Sequence, residues 1–333
     1  MHRTIYIEET LLQHPRVIDI KKRFPEATYI ICERYTEIFN RKAQNFRLQK
    51  KQPALILAEK YKKLVLPTPT NYAIGAENNY YFSHMLNCIY DCRYCFLQGM
   101  FRSAHHVFFV NFEDFAREIK QTVSRHDDGE VHFFSGYDCD SLALDAITGF
   151  TGFFLDIFEN LPTALLELRT KSIRIKSLLA REPIPNCVIA CSFTPDEISK
   201  AIEYKTPAVS RRIEAMQKLQ KYGWKLGLRF DPLIYNENFK NQYDKLFNTV
   251  FSVLETGSLH SVSLGSFRLP RDYFRKIQRL YPDETLLASP FSEGNGLVGY
   301  RHNIQNELMS YCSEQIRRYI PADIFFPCHE TTV

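Results

Sequence analysis

The chain lacks the segments that take a protein to or through a membrane. Its first residues, Met1 to Glu8, do not join a basic stretch to an apolar one as a signal peptide does. No run approaches the roughly 18 apolar residues that a membrane-spanning helix needs. Nine cysteines without an export signal are therefore expected to be reduced thiols in the cytoplasm and not a disulfide framework.

Glycine is scarce as well, with only 13 in 333 residues, and no glycine-rich loop that could cradle phosphates is visible. Internal repeats and low-complexity segments are also missing. What remains is a chain with 45% hydrophobic residues, long enough to bury a substantial core in one domain plus an appendage. These features indicate a large intracellular enzyme.

Three of the cysteines form the pattern C-x3-C-x2-C, at Cys88, Cys92 and Cys95. Three thiolates can bind three irons of a [4Fe-4S] cubane and leave the fourth iron without a protein ligand. The amino and carboxylate groups of S-adenosyl-L-methionine (SAM) can then chelate that iron, which is the defining arrangement of radical SAM enzymes. The motif therefore predicts a cluster that binds SAM.

A zinc site is the main alternative for these thiols. A structural zinc ion is normally closed by a fourth ligand, which His84, His105 or His106 could supply. Tyr94 favours the cluster, because radical SAM loops usually carry an aromatic residue immediately before the last cysteine. The chain also lacks a second cysteine pair at zinc-ribbon spacing. The third interpretation of the motif is that the three thiols are unrelated to one another.

The order of apolar runs predicts an α/β fold with a partly open parallel barrel. A turn-rich stretch near residue 70 suggests a boundary, which divides the chain into a basic N-terminal α/β domain (1–72), a barrel (73–290) and a C-terminal helical extension (291–333). Helical patterns alternate with the predicted strands. Six of those strands are Tyr80–Leu86, Val131–Phe134, Leu165–Thr170, Cys187–Phe193, Leu226–Pro232 and His260–Gly265.

Six such units predict a partial (β/α)6 TIM-like barrel, with its function at the C-terminal ends of the strands. Asn111 is expected to cap the helix that starts at Phe112. Further helices are expected at Thr148–Asn160, around Val209–Leu219, at Tyr273–Tyr281 and at His302–Ile320, with a last strand at Asp323–Phe326.

Positive charge is concentrated between Arg34 and Lys63, where nine basic residues face two acidic ones. Phe39, Phe46 and Tyr61 are interleaved with these charges. Such a mixture can follow phosphates while bases rest on aromatic rings. A solvated helix face is the alternative, so the segment predicts nucleic-acid binding only weakly.

The chain as a whole resembles the spore photoproduct lyase family of radical SAM DNA-repair enzymes. Similar segments occur in the same order over most of residues 1–330, and ordered co-occurrence is more specific than any one motif. Beyond the cysteines they are 109–113, 168–171, 192–194, 203–206 with 212–215, 222–234, 267–268, 281–282 and 317–320.

The resemblance implies light-independent reversal of a thymine dimer in DNA. In this family the reduced [4Fe-4S] cluster cleaves SAM to a 5′-deoxyadenosyl radical, which takes a hydrogen from the methylene bridge of the lesion. The dimer then fragments, a hydrogen atom is returned and SAM is regenerated. The implied partners are DNA and a reducing electron donor such as flavodoxin or ferredoxin.

The resemblance also assigns roles to individual residues. Cys88, Cys92 and Cys95 match the cluster ligands. Tyr94 matches the aromatic residue beside SAM, Lys171 the lysine near the SAM carboxylate, and Ser192 the serine on the ribose side. For Lys171 and Ser192, a surface lysine and a backbone-bonded strand hydroxyl are the alternatives.

The chain departs from the family pattern at the hydrogen donor. Phe96 stands where the family has a tyrosine that helps to return the hydrogen, and Tyr137 stands where the family has a donor cysteine. Cys139 lies two residues later, so Cys139 and Tyr137 are the candidate donors. The family's lesion-gripping Gly-Arg-Tyr-Gly hairpin is matched only loosely, at 299–302.

These departures leave two other functions open. One is a divergent radical SAM enzyme that acts on another nucleic acid or on a small molecule. The other is a nucleic-acid-binding protein that retains the Fe–S cluster only as a structural element. Phe96 and Tyr137 count against repair chemistry, whereas Tyr94, Lys171 and Ser192 count against a loss of SAM binding.

Overall fold

The computed structural model describes residues 3–69, 73–126 and 129–328. The strands, in chain order, are β1 (Thr4–Glu8), β2 (Thr28–Cys32), β3 (Leu55–Ala58), β4 (Val65–Pro67), β5 (Asn78–Phe82), β6 (Met85–Leu86), β7 (Asp91–Cys92), β8 (His106–Phe109), β9 (Val131–Ser135), β10 (Ala164–Thr170), β11 (Cys187–Ser192), β12 (Glu203–Tyr204), β13 (Lys225–Leu233), β14 (Leu259–Ser266), β15 (Arg268–Pro270), β16 (Phe291–Gly294), β17 (Leu297–Tyr300) and β18 (Phe325–Pro327).

The α-helices are α1 (Pro15–Arg23), α2 (Phe46–Lys51), α3 (Leu97–Met100), α4 (Phe112–Val123), α5 (Asp145–Thr148), α6 (Phe150–Glu159), α7 (Asp196–Ile202), α8 (Val209–Tyr222), α9 (Phe239–Val253), α10 (Arg271–Leu280) and α11 (His302–Ile316). Within the described ranges, none of these helices has the length and apolar content to cross a bilayer.

The largest sheet is a partial barrel of the predicted kind. Its order is β4-β5-β9-β10-β11-β13-β14-β18, and the strands from β5 to β18 are parallel. Strand β4 adds an antiparallel edge beside β5. Every residue of β9 and β11 is buried, as expected for strands covered on both faces. The six predicted strands and the partial (β/α)6 barrel are thereby confirmed.

The first predicted strand is divided between two sheets. Residues 78–82 form β5 in the barrel, whereas Met85–Leu86 form β6, which pairs antiparallel with β8 in the N-terminal sheet. The chain changes sheets at Ser83 and His84, both buried. The His84 ring stacks on Phe150, with ring centroids 3.8 Å apart. Two polar residues mark this position in the sequence, but the change of sheet depends on contacts with remote residues such as Phe150.

The N-terminal sheet has the order β2-β1-β3-β8-β6. Strands β2, β1, β3 and β8 are parallel. Two of its strands, β6 and β8, therefore come from the part of the chain that contains the cysteines. The predicted boundary at residue 72 lies outside the described residues, and the division into three domains stays a prediction.

The C-terminal segment contains more than the predicted helix. Strands β16 and β17 form a hairpin that pairs with β15 in a three-stranded antiparallel sheet. Asn295 and Gly296 make its turn, with φ angles of 50° and 76°. Helix α11 ends at Ile316, before the predicted end at Ile320, and β18 extends the barrel sheet.

Helix α4 begins where predicted, but Asn111 does not cap it with its side chain. The Asn111 carboxamide instead accepts a hydrogen bond from Lys60 N at 3.0 Å and donates to Lys60 O and to Asp114. Asn111 therefore joins the start of α4 to the segment after β3. The local sequence predicts a helix cap, but the Asn111 side chain instead bonds to Lys60, which is 51 positions away.

A buried ion pair crosses the inside of the barrel. Arg229 donates to Glu167 at 2.7 Å, and neither side chain is exposed. Ser261 accepts from the same guanidinium, at 2.8 Å. Burial alone would raise the pKa of Glu167, but Arg229 and Arg169 lower it to about 2. Gly227 leaves room for this pair, because a Cβ atom there would lie 2.7 Å from the Arg229 guanidinium.

Candidate functional site

A cavity of about 1350 Å³ opens at the C-terminal ends of the barrel strands. Loops after β9, β10 and β11 contribute to its wall, as does the hairpin of β16 and β17. All eight candidate site residues line this one cavity: Cys88, Cys92, Cys95, Tyr94, Tyr137, Cys139, Lys171 and Ser192. Residues spread over more than a hundred positions of sequence are thus brought together.

The cysteine loop is held at the cavity by backbone contacts. Cys92 belongs to β7, which pairs antiparallel with β12, and Cys95 N donates to Cys92 O at 3.1 Å. The amine of Lys50 donates to the carbonyl groups of Cys88 and Tyr90, at 3.4 and 3.2 Å. Cys88 and Cys95 are half-buried, whereas Cys92 is buried.

The three thiols suit a cluster better than a single metal ion. Burial raises the pKa of Cys88 to about 12 and raises those of Cys92 and Cys95, so a bound metal must displace their protons. Within residues 3–69, 73–126 and 129–328, no three His, Cys, Asp or Glu side chains converge on one ion position. Thiolates that bind three different irons of a cubane lie farther apart than ligands of one ion.

The histidines that might have closed a zinc site have other contacts. Nδ1 of His105 accepts a hydrogen bond from Ala54 N at 3.0 Å. His106 lies in β8, opposite Leu55 of β3. Burial lowers the pKa of His84 to about 3, and its Nδ1 lies 4.0 Å from the sulfur of Cys139. The zinc alternative is therefore not supported.

Glu203 connects the candidate SAM residues Tyr94 and Lys171, although the sequence motifs assign it no role. The phenol of Tyr94 donates to Glu203 Oε1, and the amine of Lys171 lies 3.8 Å from the same oxygen. Oε2 accepts from Arg212 at 2.6 Å and from Ser199 at 2.8 Å. Burial alone would raise the pKa of Glu203, but Lys171 and Arg212 lower it to about 2. A carboxylate is therefore fixed behind the cavity wall.

Arg212 extends this network to Ser192. Its guanidinium donates to the Ser192 carbonyl at 3.3 Å and to Thr206 at 2.8 Å. Neither the Arg212 nor the Glu203 side chain is exposed. Glu203 directly follows α7 and Arg212 lies in the first turn of α8. Both belong to the family-like segments 203–206 and 212–215, which is the sequence signal that could have pointed to this pair.

Asp140 fixes Lys171 from the other side. Its carboxylate accepts from the backbone N of Lys171 and from Thr170 Oγ1, both at 2.7 Å. It also accepts from the backbone of Leu142 and Ala143, at 3.0 and 2.8 Å. The loop after β9 is thereby tied to the end of β10. The Lys171 backbone and side chain are thus each held by a different carboxylate.

The residues that depart from the family pattern contact one another. The ring centroids of Phe96 and Tyr137 are 5.4 Å apart, and those of Tyr137 and Tyr81 are 4.4 Å apart. Burial, with Tyr81 and Asp138 nearby, raises the pKa of Tyr137 to about 12. Burial also raises the pKa of Cys139 well above its usual range. Both groups therefore keep their hydrogen at neutral pH.

The basic segment does not form the aromatic surface that its composition suggested. Phe39 and Phe46 are 4% and 3% exposed and belong to the core. Of the three interleaved aromatic residues, only Tyr61 is exposed, and the Arg34 guanidinium lies 4.5 Å from its ring. Lys50 is buried at the cysteine loop. Phe39 and Phe46 therefore pack in the core, although they lie in a positively charged stretch of the sequence.

Gly299, Tyr300 and His302 of the loosely matched segment at 299–302 line the cavity, but the Tyr300 phenol is already bound within the protein. Tyr300 is 2% exposed, and its phenol oxygen accepts a hydrogen bond from Tyr235 N at 2.9 Å. The hairpin tip lies at residues 294–297, where Leu297 is 37% exposed and lines the cavity. The tip is therefore one part of the hairpin that a large substrate could contact.

Substituting Tyr94 with Phe tests whether Glu203 depends on its phenol donor. A hydrogen bond to a buried carboxylate contributes about 1.5 to 3 kcal/mol, so we expect Tyr94→Phe to lower the free energy of unfolding by that amount in urea titrations. Tyr204→Phe is the matched control, because that ring is exposed; its change should stay within about 0.5 kcal/mol. Equal effects of both substitutions would contradict the role of the Tyr94 phenol.

Comparisons with known proteins agree with this geometry. The spore photoproduct lyase of Bacillus subtilis (strain 168) is 23% identical over 336 residues, which cover 97% of this chain and 95% of that protein. That of Geobacillus sp. (strain Y412MC61) is 22% identical over 245 residues, or 71% of this chain and 72% of that protein.

Solved structures of spore photoproduct lyase share the fold. A double mutant with bound AdoMet and dinucleoside spore photoproduct matches with a TM-score of 0.86 and 18% identity, over 99% of both chains. An enzyme complexed with dinucleoside spore photoproduct matches with a TM-score of 0.83 and 17% identity, over 99% of this chain and 98% of that one. The family model described as spore photoproduct lyase matches residues 3–322. The chain therefore belongs to the spore photoproduct lyase family.

Proposed function

We propose that this protein is a radical SAM lyase that reverses the spore-type thymine dimer in DNA without light. One observation carries the proposal: the three cysteines, the candidate SAM residues and both candidate hydrogen donors line a single cavity. Membership of the spore photoproduct lyase family supports the same reaction. We also propose a cytoplasmic location, because a reducing compartment suits nine free cysteines and a cluster.

When bound, a [4Fe-4S] cluster supplies the electron that cleaves SAM to methionine and a 5′-deoxyadenosyl radical. Cys88, Cys92 and Cys95 are the ligands we assign to it, and they leave one iron for SAM. Lys171 supplies a positive charge for the methionine carboxylate. Tyr94 and Ser192 complete the SAM wall. The residues of the chain thus provide position and charge, while the cofactors provide the chemistry.

The substrate has to leave the DNA stack to reach the cavity. Enzymes that act on bases extrude them, and a damaged pair costs less to extrude than an intact one. The cavity is large enough for a nucleotide lesion beside SAM, at about 1350 Å³. The rings of Tyr81, Phe96 and Tyr137 form a surface on which a pyrimidine can stack.

Hydrogen return requires a donor that faces the cavity and keeps its hydrogen. Cys139 and Tyr137 both satisfy this requirement, because burial raises both pKa values. We assign the step to Cys139, whose thiol adjoins the cysteine loop. The Tyr137 ring packs between Tyr81 and Phe96, which fits it for stacking. Tyr137 remains the alternative donor.

The deciding experiment is anaerobic repair of a defined lesion. The cluster is reconstituted, reduced with dithionite and mixed with SAM and an oligonucleotide that contains the spore-type thymine dimer. We expect restored thymines with SAM largely regenerated, and only a small amount of 5′-deoxyadenosine from SAM cleavage that is not followed by regeneration. The variant with Cys88, Cys92 and Cys95 all changed to Ala should bind little iron and show neither product. SAM cleavage without repair would contradict the assigned substrate.

Lys171→Ala should weaken SAM binding. Removal of a charged partner costs about 1.5 to 3 kcal/mol, which corresponds to a roughly 10- to 150-fold higher Kd for SAM. Calorimetric titration of the reconstituted protein measures this constant. Lys176→Ala is the matched control, since Lys176 is exposed and does not line the cavity. An unchanged Kd in Lys171→Ala would show that this lysine does not contact SAM.

Cys139→Ala should leave the opened lesion without its hydrogen donor, so wrongly quenched products should replace thymine. Chromatography with mass detection of the digested oligonucleotide separates these products. Tyr137→Phe should still yield clean thymine, and so should Cys32→Ala, a cysteine in the N-terminal sheet. The reverse pattern, clean thymine from Cys139→Ala and misquenching by Tyr137→Phe, would assign the donor to Tyr137.

A further inference from the structure

Two short elements, β12 and α2, pack against the cysteine loop. Strand β12 pairs with β7, which places Tyr204 opposite Asp91 and Glu203 opposite Cys92. Helix α2 contacts the loop through Lys50, whose amine donates to the Cys88 and Tyr90 carbonyl groups. The two elements are joined to each other by Lys205, whose amine donates to the Lys50 carbonyl at 2.8 Å.

The outer residues of these elements form one exposed surface, which we call the α2–β12 surface. It consists of Arg47, Leu48, Lys51, Tyr204 and Lys205, all of which are exposed. Three of the five are cations and none is acidic. Leu48 is 61% exposed and Tyr204 is 42% exposed. The surface thus combines positive charge with exposed apolar groups.

The acidic groups next to this surface are already paired with other cations. Asp91 forms ion pairs with Arg93, at 2.7 Å, and with the Lys50 amine, at 3.9 Å. Glu284 lies 3.5 Å from Arg93. The Arg93 guanidinium is also held between two rings, 4.4 Å from that of Tyr204 and 3.9 Å from that of Tyr281. The charges of Arg47, Lys51 and Lys205 are therefore available to a partner.

The α2–β12 surface is separate from the substrate entrance. None of its five residues lines the cavity, whereas Lys50, directly beneath, does. A lesion that enters the cavity does not need to cross this surface. The surface is, however, one layer of protein away from Cys88 and Cys92. It therefore offers a short path to the cluster that leaves the cavity free for SAM and substrate.

We propose that the α2–β12 surface docks an acidic protein that carries one electron, of the flavodoxin type. The inference rests on the proposed function, because cleavage of SAM starts from a reduced cluster, and the electron that reduces the cluster has to come from outside this chain. A reduced carrier in its hydroquinone form gives up one electron and becomes the semiquinone. The oxidised cluster gains that electron, so the exchange balances.

The chemistry of the surface suits a brief encounter. Electron-transfer complexes lie at the small end of the range of interface areas, and opposite charges accelerate their formation. Exposed cations around Leu48 and Tyr204 provide attraction from a distance and a small apolar contact on arrival. The association should consequently weaken as salt is added.

The test reverses two charges on α2, in the double variant R47E/K51E of the full chain. Stopped-flow absorbance follows reduction of the reconstituted cluster by flavodoxin hydroquinone, and calorimetry measures flavodoxin affinity. At low ionic strength we expect the second-order rate constant to fall about tenfold or more. The milder variant R47Q/K51Q should show an intermediate loss. Added salt should slow the unaltered protein far more than R47E/K51E.

Two controls separate this proposal from the proposed function. K218E/K221E reverses two exposed charges near the end of α8 and should leave the flavodoxin rate unchanged. Dithionite needs no docking surface, so dithionite-driven repair should be equal in R47E/K51E and the unaltered protein. Failure of repair with dithionite in the unaltered protein would instead overturn the proposed function.

Two results would overturn the docking proposal itself. One is a flavodoxin rate and affinity in R47E/K51E equal to those of the unaltered protein. The other is an unchanged flavodoxin rate with a weaker, less salt-dependent affinity for lesion-containing DNA, which would assign the surface to nucleic acid.

Discussion

The site depends on one buried carboxylate, that of Glu203. Its two oxygens meet Tyr94, Ser199 and Arg212, and the Lys171 amine lies 3.8 Å away. Of Glu203, Arg212 and Lys171, only Lys171 lines the cavity, where its amine can meet an anionic group of a ligand. Loss of one partner of a fully buried pair leaves the other uncompensated, at a cost of about 3 to 5 kcal/mol. The network therefore tolerates little change.

The same carboxylate couples the cysteine loop to the barrel. Glu203 lies opposite Cys92 in the β7–β12 pair. Its partners belong to the barrel, because Lys171 directly follows β10 and Arg212 lies in the first turn of α8. Asp140 repeats the arrangement from the loop after β9, through the Lys171 backbone. Short, mostly buried contacts thus fix the proposed cluster ligands and the candidate SAM residue Lys171 relative to one another. Such support from behind is what keeps reacting groups in position.

Local sequence patterns predicted the strands and the cysteine motif, because burial of apolar runs and metal-ligand spacing are local properties. They did not predict where a run changes sheets, as at Ser83 and His84, because that depends on Phe150. Local patterns also predicted that Asn111 caps α4, whereas its side chain bonds to Lys60. Glu203 lies in the family-like segment 203–206, but the segment alone indicates no role for this carboxylate. Its partners Ser199 and Arg212 are near it in the chain, but Tyr94 is 109 positions away, so no local window contains the whole network.

Phe96, Tyr137 and Cys139, the residues at which the chain departs from the family pattern, all line the same cavity. A phenol is missing at Phe96, but Tyr137 places a phenol against that ring, with centroids 5.4 Å apart. A thiol is missing at residue 137, but Cys139 supplies one to the same cavity. The cavity therefore still offers a phenol, at Tyr137, and a thiol, at Cys139, although neither stands at the position that the family uses. Because hydrogen transfer depends on which groups reach the substrate and not on their order in the chain, the replaced residues are compatible with the family reaction.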